Sequence, residues 1–478
     1  MRARPIAFAM STALALVATI SVFDACSFTV DGILLDVSYD LAYPDAASAD
    51  LSNSDLSELC SSDGPASACS TDGTSLLVCK GSVPAATPCS DGCSNDGRPH
   101  CKRVDPGGVA DPSDYELVGL TDITFTEDAV LNTDTGEITA TPFERSGGAG
   151  VQAGVGFRSA PQVGGSAVGI FSFSSLTLAA GKTLRVVGTS PLVLVAAHVI
   201  SIGGTIDVQG SCVNGVASAG GSTGAGAGGN GVADASGTSA SGGGGGGGGD
   251  NGGAGASGVV SMGGAAGAIF GDLSIADPVL TGGGRGGPGG TSMAMAGGLG
   301  GGGGGAVQIA GNGQIIFSNG ANVMASGCHG SASALGPGGG GGGGAGGMVL
   351  VEARDVQIEV GVSITANGGG GGGGGNGSDG DDGTGTTDKA NGGAGAVGVY
   401  RGTDGGGGGH SGALFGEPAM AAAASDRFGG GGGGSVGRIA LKSKTGLVPL
   451  IGVVLSPKIG ETSIGHPAPA RLGFVNVK

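Results

Sequence analysis

Cysteine is the reactive side chain whose spacing is most informative in this 478-residue sequence, and its nine copies divide into three groups. Cys60, Cys69, Cys79, Cys89, Cys93 and Cys101 are clustered, Cys212 and Cys328 stand apart, and Cys26 is alone near the N-terminus. Six cysteines packed so closely predict a disulfide framework of about three bridges, with the pairing left open. A zinc centre would want CxxC-type spacing. The nearest approach is Cys89-x3-Cys93 with His100 beside Cys101, so bridges are the better reading and no metal is expected.

Other chemistry is sparse. The fragments Asn132-Thr133-Asp134, Asp381-Asp382, Gly409-His410 and Arg438-Ile439 echo the order of a polygalacturonase set. An acid–base pair must converge on one face, yet about 250 residues separate the first two fragments, and Asp381 and Asp382 lie in a glycine-rich loop. The five His residues are scattered, and no Ser-His-Asp arrangement is visible. The segment SDGDDGTGTTD (378–388) fits neither the helix-loop-helix nor the repeated glycine-aspartate calcium pattern, and reads as polar turns. The glycine runs lack a following GK[ST], which excludes a phosphate loop. No catalytic residue and no cofactor is expected. A net charge of −17 argues against nucleic acid as a partner, because phosphate binding needs clustered Lys and Arg.

The elements that must position these residues begin with residues 1–25. Arg2 and Arg4, an apolar run from Ile6 to Val22 and Ala25 make an export signal. Phe23-Asp24-Ala25-Cys26 resembles a bacterial lipobox, which implies lipidation of Cys26 and a membrane partner reached through that anchor. Residues 26–57 read as an acidic flexible tether, since Asp and Glu recur from Asp31 to Asp72 with no Lys or Arg among them. Residues 58–104 form the cysteine module. It has few large apolar residues beyond Leu76, Leu77 and Val78, so bridges must supply the stability that a core cannot.

The strings CSTDGTSLLVCKGS and PCSDGCSNDGRPHC, the following VDPGG and the Cys26-Ser27-Phe28 start resemble the glycine-rich, cysteine-module surface lipoproteins of the myxobacterial type. The resemblance implies an outer-membrane or cell-surface location and an architecture, and carries no catalytic residue across.

After a linker and N-terminal strands or cap (105–165), residues 166–478 alternate apolar and polar residues in short runs broken by Gly. Residues 192–210, 306–327 and 348–368 align as three-strand units. In the first strand, Val193/Val195, Val307/Ile309 and Val349/Val351 are expected inward, with Gln308, Leu350 and Glu352 outward. In the second, the inward pairs are Ile200/Ile202, Ile315/Phe317 and Val356/Ile358. In the third, they are Ile206/Val208, Val323/Ala325 and Val362/Ile364. A fourth copy keeps Ile439/Leu441 inward and Arg438 and Lys442 outward, while Glu352, Arg354 and Asp355 are expected exposed, with no matching motif in the other coils. Three strands in about 20 residues is the size of one coil of a parallel β-helix, so the expected fold class is all-β, a solenoid.

The 115 glycines concentrate in runs at 242–249, 300–305, 338–344, 368–375 and 429–434, all between the third strand of one coil and the first of the next. Their similar lengths favour left-handed polyglycine helices bundled on one edge over disordered linker. Cys212 and Cys328 closely follow Gly210 and Gly327, each ending a third strand. A strand spacing of about 4.8 Å predicts that these two cysteines are bridged. The function expected is a non-enzymatic surface or envelope scaffold, adhesive in role and meeting surface polysaccharide or matrix. The alternatives are a secreted form and a carbohydrate-binding or polysaccharide-degrading protein.

Overall fold

The computed structural model describes residues 60–478 except 61–66, 81–82, 97, 213–220, 222–225, 234–236, 260, 272–277, 293–294 and 335. The signal, Cys26 and the tether lie outside the described residues. No helix among the described residues is long and apolar enough to cross a membrane. Among the described residues the chain is all-β apart from one short 3-10 turn, Pro112–Tyr115, which Asp111 caps by accepting from Ser113 N.

The body is built on two mixed sheets of eight and eleven strands that curl around one core. Most pairings are parallel, and equivalent residues of successive units stack directly on one another. Ile123, Leu176, Ile200, Ile315 and Val356 form one such ladder. Ala129, Leu184, Ile206, Val323, Ile364 and Leu455 form a second. Phe171, Leu194, Ile309, Val351, Leu441 and Leu472 form a third. The three ladders converge on one hydrophobic cluster, so no unit buries its apolar face without its neighbours. At the N-terminal end, Val155–Ala160 runs antiparallel to Val168–Phe173. Arg145 is buried beneath this end, where it donates to the carbonyls of Gly136, Ser146, Gly148, Gly150 and Val155 and lies 5.5 Å from the Phe157 ring centroid.

Two expectations about the strands need correction. The first and second strands of the later units are not separate: Ala306–Phe317 and Met348–Ile358 are each continuous, with a register shift between Gly311 and Gln314. In Leu192–Ala196 the inward residues are Leu192 and Leu194, not Val193 and Val195. Both sides of this strand are buried, and Val193 and Val195 belong to a second cluster with Ile170, Leu350, Ala440, Tyr115 and Leu280. A continuous apolar run buried on both faces carries no alternation from which to read its phase.

The glycine runs are packed in an ordered array. Residues 338–347 bond to six neighbouring segments. Gly340 N donates to Gly429 O and Gly343 N to Gly432 O; Gly243 N donates to Gly340 O and Gly246 N to Gly343 O. On the remaining sides, Gly342 N donates to Gly287 O, Gly301 N to Gly342 O, Gly372 N to Gly341 O and Gly344 N to Cys328 O. Bonds to each neighbour recur every third residue, a three-residue period. A Cβ on Gly342 would overlap the Gly244 carbonyl, and one on Gly431 the Gly341 carbonyl, so only glycine permits this approach. Ordering so much glycine costs entropy, which the backbone hydrogen bonds and buried contacts between runs offset.

Candidate functional site

The six clustered cysteines pair as Cys60–Cys79, Cys69–Cys93 and Cys89–Cys101. The module is pinned to the strand body by one carboxylate: Asp91 meets Arg354 at 2.9 Å and also Lys444. Arg354 donates further to Ser90 Oγ and to the Lys102 carbonyl. Arg354 is therefore not the exposed residue that the alternation suggested.

Glu352 is likewise not exposed. It lies on the outer side of its strand, but residues 104–116 cross over it, and it is 1 % accessible. Its carboxylate accepts from Gly107 N at 2.9 Å and Gln308 Nε2 at 2.6 Å, and pairs with Lys442 Nζ at 2.9 Å. Gln308 Nε2 also donates to the Gly107 carbonyl, and Val104 N to Asn312 Oδ1. The C-terminus holds this strap in place: Asn476–Val477 pairs antiparallel with Val104–Asp105, and Lys478 Nζ meets Asp105 at 2.5 Å. Burial, with Glu352 close by, pushes the Tyr115 hydroxyl well above the usual tyrosine range. Arg438, also expected outward into solvent, is 3 % accessible and donates to the Phe270 and Gly248 carbonyls beneath the glycine array.

The fragments that echoed a polygalacturonase do not come together as a reacting set. Asp134 accepts from Thr189 N and Ser190 N, His410 Nδ1 is 3.1 Å from Thr387 O, and Arg438 serves the carbonyls above. Within 378–388, Asp379 and Asp381 tie residues outside the segment, while Asp388 bonds within it. Asp379 accepts from Ala332 N, Asp381 from Asn391 N and Nδ2, and Asp388 from Thr386 Oγ1.

Asp382 differs from these because of what surrounds it. Cys212 and Cys328 are bridged, with Cα atoms 5.3 Å apart, joining the ends of two neighbouring third strands as their positions predicted. Asp382 Oδ1 is 2.6 Å from His329 Nδ1, accepts from His329 N, and is 3.1 Å from Cys212 Sγ. The hydrogen bond to Asp382 raises the pKa of His329, and the same bond lowers that of Asp382. Cys328 is buried, while Cys212 and Asp382 reach solvent. One sulfur, nitrogen or oxygen atom from each of Cys212, Cys328, His329 and Asp382 lies within 4.8 Å of the others. Sequence reading placed the two cysteines together but not the histidine and carboxylate. The available signal was a His directly after Cys328 and an acidic pair in the loop expected on the same edge.

No family model, curated protein or solved structure matches the chain.

Proposed function

We propose that this chain is an exported, lipid-anchored, non-enzymatic scaffold of the cell surface or envelope, adhesive in role. Its body on this reading is a parallel β-helix flanked by a polyglycine bundle. The observation that carries the proposal is the use made of the polar side chains. Asp134, Asp379, Asp381 and Asp404 each accept from backbone N–H groups of another segment, and Arg145 and Arg438 each donate to several carbonyls. Charges spent on fixing backbone favour a load-bearing body over a reaction centre, where acids and bases must face a substrate. Residues 1–25 and the lipobox-like stretch ending at Cys26 supply export and anchor, in keeping with the resemblance to myxobacterial surface lipoproteins. Metabolic labelling with a palmitate analogue, combined with protease shaving of intact cells, tests this. Wild type is expected to be labelled and shaved, and Cys26→Ser to lose the label. Equal labelling of both, or protection of the wild type from protease, would contradict it.

One observation favours a second reading, carbohydrate binding. An open groove of about 370 Å³ is lined by Asn376, Ser378, Ala396, Val397 and Tyr400, and Tyr400 is half exposed. An aromatic face beside amide and hydroxyl groups suits a sugar ring. Glycan-array binding by the full chain that disappears in Tyr400→Ala would support it, and binding unaffected by that change would remove it.

A further inference from the structure

We propose that the Cys212–Cys328 bridge is a redox-gated metal site. When a dithiol reduces it, Cys212, Cys328, His329 and Asp382 form a four-ligand centre for a zinc-class divalent cation. The argument rests on where the donors sit. A bridge that only stapled two strands would need nothing beyond its sulfurs, yet an imidazole nitrogen and a carboxylate oxygen converge on these two. The histidine comes from the residue after Cys328, and the carboxylate from the separate glycine-rich segment at 378–383. Tetrahedral zinc with bonds of about 2.0–2.3 Å sets its ligand atoms roughly 3.3–3.8 Å apart. The four donors already lie within 4.8 Å of one another, close to the spacing such an ion requires.

Two thiolates, one imidazole and one carboxylate also match zinc in donor type. The carboxylates of Asp379 and Asp381 lie on the same segment as Asp382, and both act on His329. Their field favours a cation.

The gate follows from the same atoms. In the oxidised chain the two sulfurs are bonded to each other and offer no thiolate, and His329 and Asp382 bond to each other instead. Cys212 reaches solvent, so a dithiol can attack the bridge there. The exchange transfers two electrons and two protons: the Sγ–Sγ bond breaks, Cys212 and Cys328 become thiols, and the reductant closes to its own disulfide. Metal binding then releases the two thiol protons to solvent. Reaction with a disulfide of the same class reverses the sequence, closes the bridge and expels the ion.

The test uses the full chain and cobalt(II) as a spectroscopic stand-in for zinc. The oxidised chain is expected to show no thiolate–cobalt absorption. The anaerobically reduced chain is expected to gain the visible bands of a tetrahedral, thiolate-ligated ion that one equivalent of zinc displaces. Cys212→Ser/Cys328→Ser keeps all six module cysteines, and in the reduced state it should lose these bands. Asp382→Asn preserves an acceptor for His329, so it keeps the local packing, and it should bind at least tenfold more weakly. Bands that persist in the double variant would place the ion on the cysteine module and overturn the proposal. No bands in the reduced wild type, or unchanged affinity in Asp382→Asn, would overturn it equally.

Discussion

Single side chains hold this molecule together mainly by bonding to backbone. Arg145 is the clearest case, since its guanidinium serves five carbonyls that close the N-terminal end of the core. Removing it takes the guanidinium donor from the buried Gly136 and Val155 carbonyls, a desolvation cost. Arg145→Ala is expected to lower unfolding stability by roughly 2–4 kcal/mol, measured by denaturant titration. Asp72 plays a similar part at the surface of the cysteine module, accepting from Ser70 Oγ, Thr74 N and Thr74 Oγ1. The Ser70 hydroxyl foremost, with the Thr74 groups, holds its pKa down to about 2. The folded form thus favours the ionised carboxylate. This contribution is complete above the unfolded value of 3.8 and fades as the pH falls from there through about 2. An NMR titration should find the Asp72 carboxyl midpoint near the lower figure, and a midpoint near 3.8 would show that the Ser70–Asp72–Thr74 turn does not form.

Strands and glycine runs differ in how legible they are. In the units 192–210 and 348–368 the second and third strands show their phase because one side is apolar and the other polar: Ile200 and Ile202 point into the core, with Ser201 between them. The run Leu192–Ala196 hides its phase because a second apolar layer covers its other side. That layer includes Tyr115 and Leu280, both remote in sequence, and nothing local announces it. The candidate site divides along similar lines. Strand stacking made Cys212 and Cys328 neighbours by arithmetic, whereas Asp382 arrives through a glycine-rich segment whose course no periodicity specifies. For the glycine runs themselves, position was readable and order was not, since identical residues carry no pattern to show which run touches which. Their packing makes a sharp demand on residue 342, where any Cβ meets the Gly244 carbonyl. Gly342→Val should therefore cost about 3 kcal/mol or more, or prevent folding, as read by thermal unfolding of the full chain. Stability equal to wild type would mean that this contact is absent.

At the scale of the whole molecule, segments far apart in sequence are tied across the outer side of the strand body. The strap at 104–116 lies over Glu352, the C-terminal strand locks the strap, and the cysteine module meets Arg354 and Lys444. Glu352→Ala would leave Lys442 and Gly107 N without their carboxylate. It is expected to cost roughly 3–5 kcal/mol and to expose the strap to limited proteolysis near residue 107. Glu352→Gln, which keeps the shape and an acceptor, should cost less. The scaffold account depends above all on the glycine array being a fixed part of the body. Hydrogen–deuterium exchange on the full chain reads this most directly, through the amides of residues 338–347. The account predicts exchange as slow as that of the core strand Met348–Ile358, because these amides donate to neighbouring runs inside a buried array. Complete exchange of residues 338–347 at the earliest time point, with the adjoining strand still protected, would contradict it.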